Sequence, residues 1–279
     1  EKFSEFKNSC IVILPVPFDL TTTYQHGTDK GPDALIEASR NMELYDIETD
    51  SSVYQVGIHT AQAIEASSCE EMQRELLRRT KDYLSSDKFV VILGAEHSIS
   101  YAPIKAHSEK FPGMTVLQID AHADLQSAYE GNPWSHASVM ARVRELPNVS
   151  SIVAVGIRSM SEEEAQVVDK KRTFYGHSLD LEGKWIEEVV SLLSDQVYIT
   201  FDLDGFDSSL MPSTGTPEPG GLSWNQAMAL LKRVAEKKNI VGFDVVELCP
   251  SPAFHAPDYL AAKLVYKILS HHHLYHPLS

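Results

Sequence analysis

The 279-residue sequence has little of what would place it in several common classes. Only three cysteines occur, Cys10, Cys69 and Cys249, odd in number, widely spaced and without a C-x-x-C pair. Neither a disulfide framework nor a thiolate zinc site is indicated, and a reducing, cytoplasmic setting is expected. No apolar run approaches the roughly 20 residues of a membrane span, and no signal-peptide core opens the chain. Positive charge is scarce: 24 Lys and Arg stand against 39 Asp and Glu, a formal charge of −15. Such a balance repels phosphate and argues against nucleic acid or an anionic membrane as partner. It suits a cationic ligand or bound metal ions, and equally plain solubility. Repeats, low-complexity blocks and Pro/Gly/Ser-rich linkers are missing, so one domain over residues 1–279 is expected.

Short apolar runs alternating with amphipathic stretches are what the chain does have. Strands are predicted at 10–15, 52–56, 89–93, 115–120, 151–156, 197–202 and 240–248. Their unbroken Val/Ile character is that of strands covered on both faces. Helical patterns fall near 32–39, 70–84, 100–110, 135–145, 161–168, 184–193, 224–237 and 258–271. Gly31-Pro32, Ser161 with Glu164 three residues on, and Ser223 before Trp224 are helix-start signals. This order predicts an α/β fold with a mostly parallel sheet and helices on both faces. Ligands then bind beyond the carboxyl ends of the strands.

Four predicted strand ends carry ionisable groups: Glu96-His97, Asp120-Ala121-His122-Ala123-Asp124, Asp202-Leu203-Asp204 and Glu247. A buried carboxylate costs several kcal/mol unless it is paired or binds metal, so four Asp at one edge need a counter-charge. In an extended chain, Asp120, His122 and Asp124 fall at period two and point to one side. A lone Asp there is ordinarily a cap or turn residue; the joint pattern with His97 favours two divalent cations sharing ligands. Oxygen and imidazole donors without thiolate favour Mn²⁺, with Fe²⁺, Co²⁺ and Ni²⁺ still open. Two such cations bring the pKa of a shared water to near neutrality. His136 is placed to shuttle a proton and Glu247 to hold a cationic electrophile, for which a guanidinium is the natural fork-shaped partner.

Gly94-x-Glu96-His97-Ser98, Asp-Ala-His-Ala-Asp (120–124), Ser135-His136-Ala137, Asp-Leu-Asp-Gly-Phe-Asp (202–207) and Thr-Gly-Thr-Pro (214–217) resemble the manganese ureohydrolase family of arginases and agmatinases. The resemblance implies a three-layer α/β/α fold with an eight-stranded parallel sheet and two Mn²⁺ per chain. It implies His97, Asp120, Asp124 and Asp202 as ligands of one metal, and His122, Asp120, Asp202 and Asp204 of the other. Asp124 and His136 would handle protons, Glu247 and Thr216 would meet the guanidinium, and Asp207 would steady the metal site from behind. A homotrimer or homohexamer is implied as well.

Within the family, Gln126 and Ala137 stand where arginases carry Asn and Gly, and residues 124–131 look like the agmatinase branch. Agmatine, cleaved to putrescine and urea, is therefore the expected substrate, its free amine met by Glu130 or the Glu162–Glu164 cluster. Alternatives are arginine, another guanidino or formimino compound, or guanidinobutyrate should Arg158 face the distal pocket; a non-catalytic metal-binding homologue is the reading from another class. Glu96 replaces a frequent Asp, and Ser208 a frequent Pro. Trp134 and Tyr129 line the entrance or simply pack, Cys249 reads as structural, and His271-His272-His273 as a solvated helix end.

Overall fold

The computed structural model describes residues 2–278. Eight strands form one sheet: β1 (Ile11–Val16), β2 (Ile58–Thr60), β3 (Phe89–Gly94), β4 (Met114–Ile119), β5 (Val149–Ile157), β6 (Thr173–Tyr175), β7 (Gln196–Asp202) and β8 (Asn239–Val246). All neighbours are parallel, in the order β2-β1-β3-β8-β7-β4-β5-β6. Every residue of β3 and β4 is buried, as unbroken apolar runs require.

Alternate side chains of a strand enter opposite layers. Phe89, Val91 and Leu93 join the core under α1 (Gly31–Ser39), α6 (Lys184–Leu192), α7 (Trp224–Lys237) and α8 (Ala256–Tyr275). Val90 and Ile92 pack instead with α2 (Cys69–Ser85) and α3 (Tyr101–Lys110). Farther along that second face, α4 (Val139–Val143) covers Val116 and Tyr198. The three-layer α/β/α expectation therefore holds. Capping boxes start α5 (Glu162–Val167) at Ser161/Glu164 and α7 at Ser223/Gln226.

Four local expectations change. Residues 53–56 form a 3-10 turn, and β2 begins only at Ile58. Gly57 (φ +84) lies so close to the 8–9 backbone that a Cβ would sit 2.6 Å from the Asn8 carbonyl, which forces a turn there. Strand β6 is only three residues long and gives no periodic signal. The helix predicted at 135–145 divides into a 3-10 turn, His136–Ser138, and α4. The N–H groups of Met140 and Ala141 both donate to the Asp124 carbonyl, which sets that start. Finally, His271 and His272 are buried in α8, with His272 stacked on Phe89 at 4.7 Å, so the histidine run is no solvated end. Among the described residues, no helix is long and apolar enough to cross a membrane.

Candidate metal centre and substrate cleft

Strands β3, β8, β7 and β4 are contiguous at the middle of the sheet. Each ends in one of the ionisable segments singled out above, so four distant stretches of sequence converge at one edge. Gly94 permits the convergence on the β3 side: a Cβ there would meet Ile99 at 2.5 Å and Val246 at 2.8 Å. The chain turns at once into the 3-10 segment His97–Ser100 and folds His97 back over the edge.

His97 Nδ1 lies 2.9 Å from Asp124 Oδ2, 3.2 Å from Asp120 Oδ2 and 3.4 Å from Asp202 Oδ2. His122 Nδ1 lies 2.9 Å from Asp204 Oδ2 and 3.8 Å from Asp120 Oδ1. Two donor groups result, His97/Asp120/Asp202 and Asp120/His122/Asp204, with Asp120 common to both. The Asp-x-His-x-Asp segment does not point to one side as an extended chain would. It leaves the sheet after Ile119 and turns through Asp124 at φ +55, so His122 and Asp124 diverge around Asp120. Glu247 also occupies the left-handed region, at φ +68. Both conformations are uncommon for residues other than glycine, and here both fall at the site.

Hydrogen bonds behind the donors orient them. His97 Nε2 lies 2.8 Å from Thr200 Oγ1, which donates its proton to Asp244 Oδ1 at 2.7 Å. Thr200 has one proton to give, so it accepts from His97 Nε2–H, which leaves Nδ1 facing three carboxylates. A cation between them satisfies that arrangement. Tyr198 completes the Asp244 pair at 2.9 Å. Gln118 donates to Asp120 Oδ2 at 2.9 Å, and the Ala121 N–H to Asp204 Oδ1 at 3.0 Å.

The electrostatics agree. Burial, then the charge of Asp204, pushes the Asp120 carboxyl up; burial, then Asp120, pushes Asp124 up to about 7. Burial drives Asp202 far up as well. Only Asp204 goes the other way: burial opposes its charge, but His122 overrides that and holds it at about 2. Carboxylates crowded this closely away from water do not all ionise without added positive charge. No lysine or arginine lines the cleft above them among the described residues. The donor set fits divalent cations.

That cleft encloses about 190 Å³. Its walls include His97, His122, Asp124, Asp202, Asp204, His136, Thr216 and Glu247. Glu247 Oε1 accepts the His97 backbone N–H at 2.7 Å. Burial, then the neighbouring His97 and His122, lowers His136 to about 4, so the ring is neutral at neutral pH. Its face packs edge-on to Tyr129, 5.5 Å between centroids.

Other residues go elsewhere. Arg158 faces away from the cleft and donates to the carbonyls of Gly156, Asp204, Phe206, Glu218 and Pro219, which locks the 204–219 loop. It is not available to a substrate carboxylate. Asp207 accepts from Ser209, Gly220 and Gly221 and reaches no candidate ligand; it folds a loop and does not steady the donors directly. Glu130, Glu162 and Glu163 are exposed, whereas Glu164 is buried, caps α5, holds the Leu125 N–H at 2.8 Å and lines the cleft. Trp134 packs on Tyr101. Burial raises the Cys249 thiol, consistent with an inert role. Thr200, Asp244 and Gln118 escaped the sequence reading, although polar residues inside apolar strands mark them.

A parallel α/β/α sheet carrying an acidic, carboxylate–imidazole centre at its carboxyl edge places its ligand site beyond the strand ends and has the donor set that metal-assisted hydrolysis uses. The sequence matches the Arginase family over residues 9–270. It is 39% identical over 270 residues to the N(1)-aminopropylagmatine ureohydrolase of Thermus thermophilus, covering 95% of this chain and 91% of that protein. It is 30% identical over 268 residues to the agmatinase of Pyrococcus horikoshii, covering 95% and 93%. The solved agmatine ureohydrolase of Thermoplasma volcanium superposes with a TM-score of 0.89 at 31% identity, over 98% of this chain and 93% of that one. The chain therefore belongs to the Arginase family, and is a ureohydrolase that cleaves an amidino C–N bond.

Proposed function

We propose that this ureohydrolase takes a linear guanidino amine of the agmatine type and releases urea and a polyamine, putrescine in the case of agmatine. The observation that carries this reading is the charge of the cleft. Its lining carboxylates are Asp124, Asp202, Asp204, Glu247 and, at the distal side, Glu164, while Arg158 is committed to backbone carbonyls. A guanidinium fits the inner end and a protonated amine the outer, whereas an α- or ω-carboxylate finds no lysine or arginine among the described lining residues.

Two Mn²⁺ would be held by His97, Asp120, Asp124 and Asp202, and by His122, Asp120, Asp202 and Asp204. When bound, they supply Lewis acidity and a water acidic enough to be a nucleophile near neutral pH. The chain's own side chains do the rest. Glu247 and the Thr216 hydroxyl orient the guanidinium so that its carbon faces the donor edge. Asp124, anionic beside the cations, takes the proton of the attacking water. His136, neutral before the reaction, relays the proton that Asp124 has taken to the departing amine, which leaves both groups as they began. Bond cleavage then gives urea and a cationic amine that the same walls retain only weakly.

A second reading is favoured by the 39% relative named for N(1)-aminopropylagmatine. That substrate is agmatine extended by an aminopropyl group, and its additional amine suits the same acidic outer wall. Urea release from chelated protein given back Mn²⁺, across agmatine, N(1)-aminopropylagmatine, guanidinobutyrate and arginine, tests both. Turnover is expected with the first two compounds. Turnover confined to arginine or guanidinobutyrate would overturn the proposal.

A further inference from the structure

A hydrogen-bonded chain runs from buried Glu96 through half-buried Thr21 to half-buried His136, and neither Glu96 nor Thr21 lines the cleft. Glu96 is fully buried. Its Oε2 accepts the Thr21 N–H at 2.6 Å, its Oε1 accepts the Thr21 hydroxyl at 2.8 Å, and Ser98 donates to the same Oε1. All three contacts need Glu96 as acceptor. Thr21 Oγ1 in turn lies 3.2 Å from His136 Nδ1 and accepts the His136 backbone N–H at 3.1 Å.

Counting protons fixes the direction of the chain. A threonine hydroxyl donates once and accepts twice. The single proton of Thr21 is drawn to the carboxylate of Glu96, so both contacts with His136 run from His136 to Thr21. A neutral His136 therefore keeps its proton on Nδ1, and Nε2, at the opposite edge of the ring, presents a lone pair. Tyr129, edge-on at 5.5 Å, limits rotation of the same ring. The backbone contact adds something a side-chain contact alone would not: ring and main chain of His136 are pinned to one oxygen.

We propose that Thr21, held by Glu96, is a positioning residue that fixes the tautomer and ring orientation of His136. The inference rests on the proton-carrying role given to His136 above. Without this anchor the neutral ring divides its time between tautomers and rotamers, and only one combination has Nε2 free to exchange a proton with the cleft. Substrate binding, which uses Glu247 and the acidic walls, does not pass through Thr21.

The test compares Thr21→Val, Thr21→Ser and His136→Asn in the manganese-loaded enzyme, with manganese content and melting temperature measured for each. Thr21→Val preserves shape and removes the hydroxyl. It is expected to lower kcat by about tenfold to a hundredfold with KM changed less than about twofold, the signature of a contribution to the reaction step only. Thr21→Ser is expected to restore kcat to within about threefold, and Thr21→Val placed on His136→Asn to add less than about twofold. A Thr21→Val enzyme with normal kcat, beside an inactive His136→Asn, would overturn this inference alone. An unchanged kcat in His136→Asn would overturn the role of His136, and the positioning role with it. Should Thr21→Val lose manganese or fold poorly, Thr21→Ser decides: full activity supports a hydroxyl anchor, and a loss as deep as that of Thr21→Val overturns it.

Discussion

Two buried clusters of ionisable groups sit in this molecule, each with two histidines, and they solve the same electrostatic problem differently. At the carboxyl edge of the sheet, Asp120, Asp124, Asp202, Asp204 and Glu247 surround His97 and His122 with no lysine or arginine in the cleft lining. Inside α8, Lys267 lies 3.0 Å from Asp46 and 2.6 Å from Glu48, which also meets Lys232 at 3.1 Å, and His271 and His272 are buried alongside. The second cluster supplies its own counter-ions, Lys267 and Lys232 against Asp46 and Glu48. The first has too few cationic side chains for its carboxylates, and that imbalance distinguishes a donor set suited to divalent cations from a structural network.

The largest expected effect breaks the first cluster only. Asp120→Asn, which alters the carboxylate common to both donor groups, is expected to lower urea release by at least about 10³-fold and to reduce bound manganese. Chelation should do the same and be reversed by Mn²⁺, with a rise in melting temperature as the cation binds. A chelated enzyme with full turnover would remove the distinction between the clusters.

Breaking the second cluster should spare chemistry and cost stability. Lys267→Met takes the cation from Asp46, only 3% exposed, whose Oδ1 keeps the Glu48 and Thr49 N–H groups, and is expected to cost about 1–3 kcal/mol of unfolding free energy in urea. Turnover per folded molecule is expected to stay at the wild-type value. A change in kcat would mean that the clusters communicate.

Acid sharpens the comparison further. Burial lowers His271 to about 4 and His272 to about 3, against an ordinary value of 6.5. Between those values the unfolded chain binds protons that the folded one refuses. The associated stability is fully present above pH 6.5 and is lost as the pH falls through 6.5 toward 4. Replacing His272 by Phe retains the stack on Phe89 and should flatten that decline, measured as urea midpoints at pH 7 and 4.5. Parallel declines in both proteins would rule the histidine out as its source.

The smallest effect concerns Glu164, whose carboxylate is satisfied in a third way, by the N–H groups of Leu125 and Ser161. Glu164→Gln is expected to raise KM for agmatine about fivefold to tenfold, on the order of 1 kcal/mol, because both carboxylate oxygens already accept backbone N–H groups. The KM for an uncharged alkylguanidine should stay level, and equal shifts for both compounds would argue for a loop effect instead.

Much of this was legible in the sequence. The segments that carry the six candidate ligands and Glu247 lie at the carboxyl ends of β3, β4, β7 and β8, because continuous apolar strands announce themselves and their ends are short. What escaped was set by tertiary contact. The divergence of His122 and Asp124 follows from a left-handed Asp124 tied to α4. A ligand-facing Arg158 stays open as an alternative in the sequence because nothing local reveals five carbonyls gathered largely from a distant loop. His271 and His272 looked solvated because α8 packs nearly all round, which erases the amphipathic stripe that would have signalled burial. Thr21 carries no local mark of its link to Glu96, 75 residues away.

The strand order has a consequence for how the molecule is made. Strands β3 and β4 follow one another in the chain, yet β8 and β7 lie between them in the sheet. Until residues 196–246 insert, the two halves of the sheet have unpaired inner edges, and His97 and Asp120 stand on opposite sides of a gap. The bond from the His97 N–H to Glu247 spans 150 residues. Such closure is slow, and an incomplete chain offers two central strand edges to its neighbours, an aggregation hazard. The Asp120–Asp124 and Asp202–Asp204 segments come together as soon as β7 pairs with β4, but His97 and Glu247 join them only when β8 closes the sheet, so a complete site reports that β8 is in place.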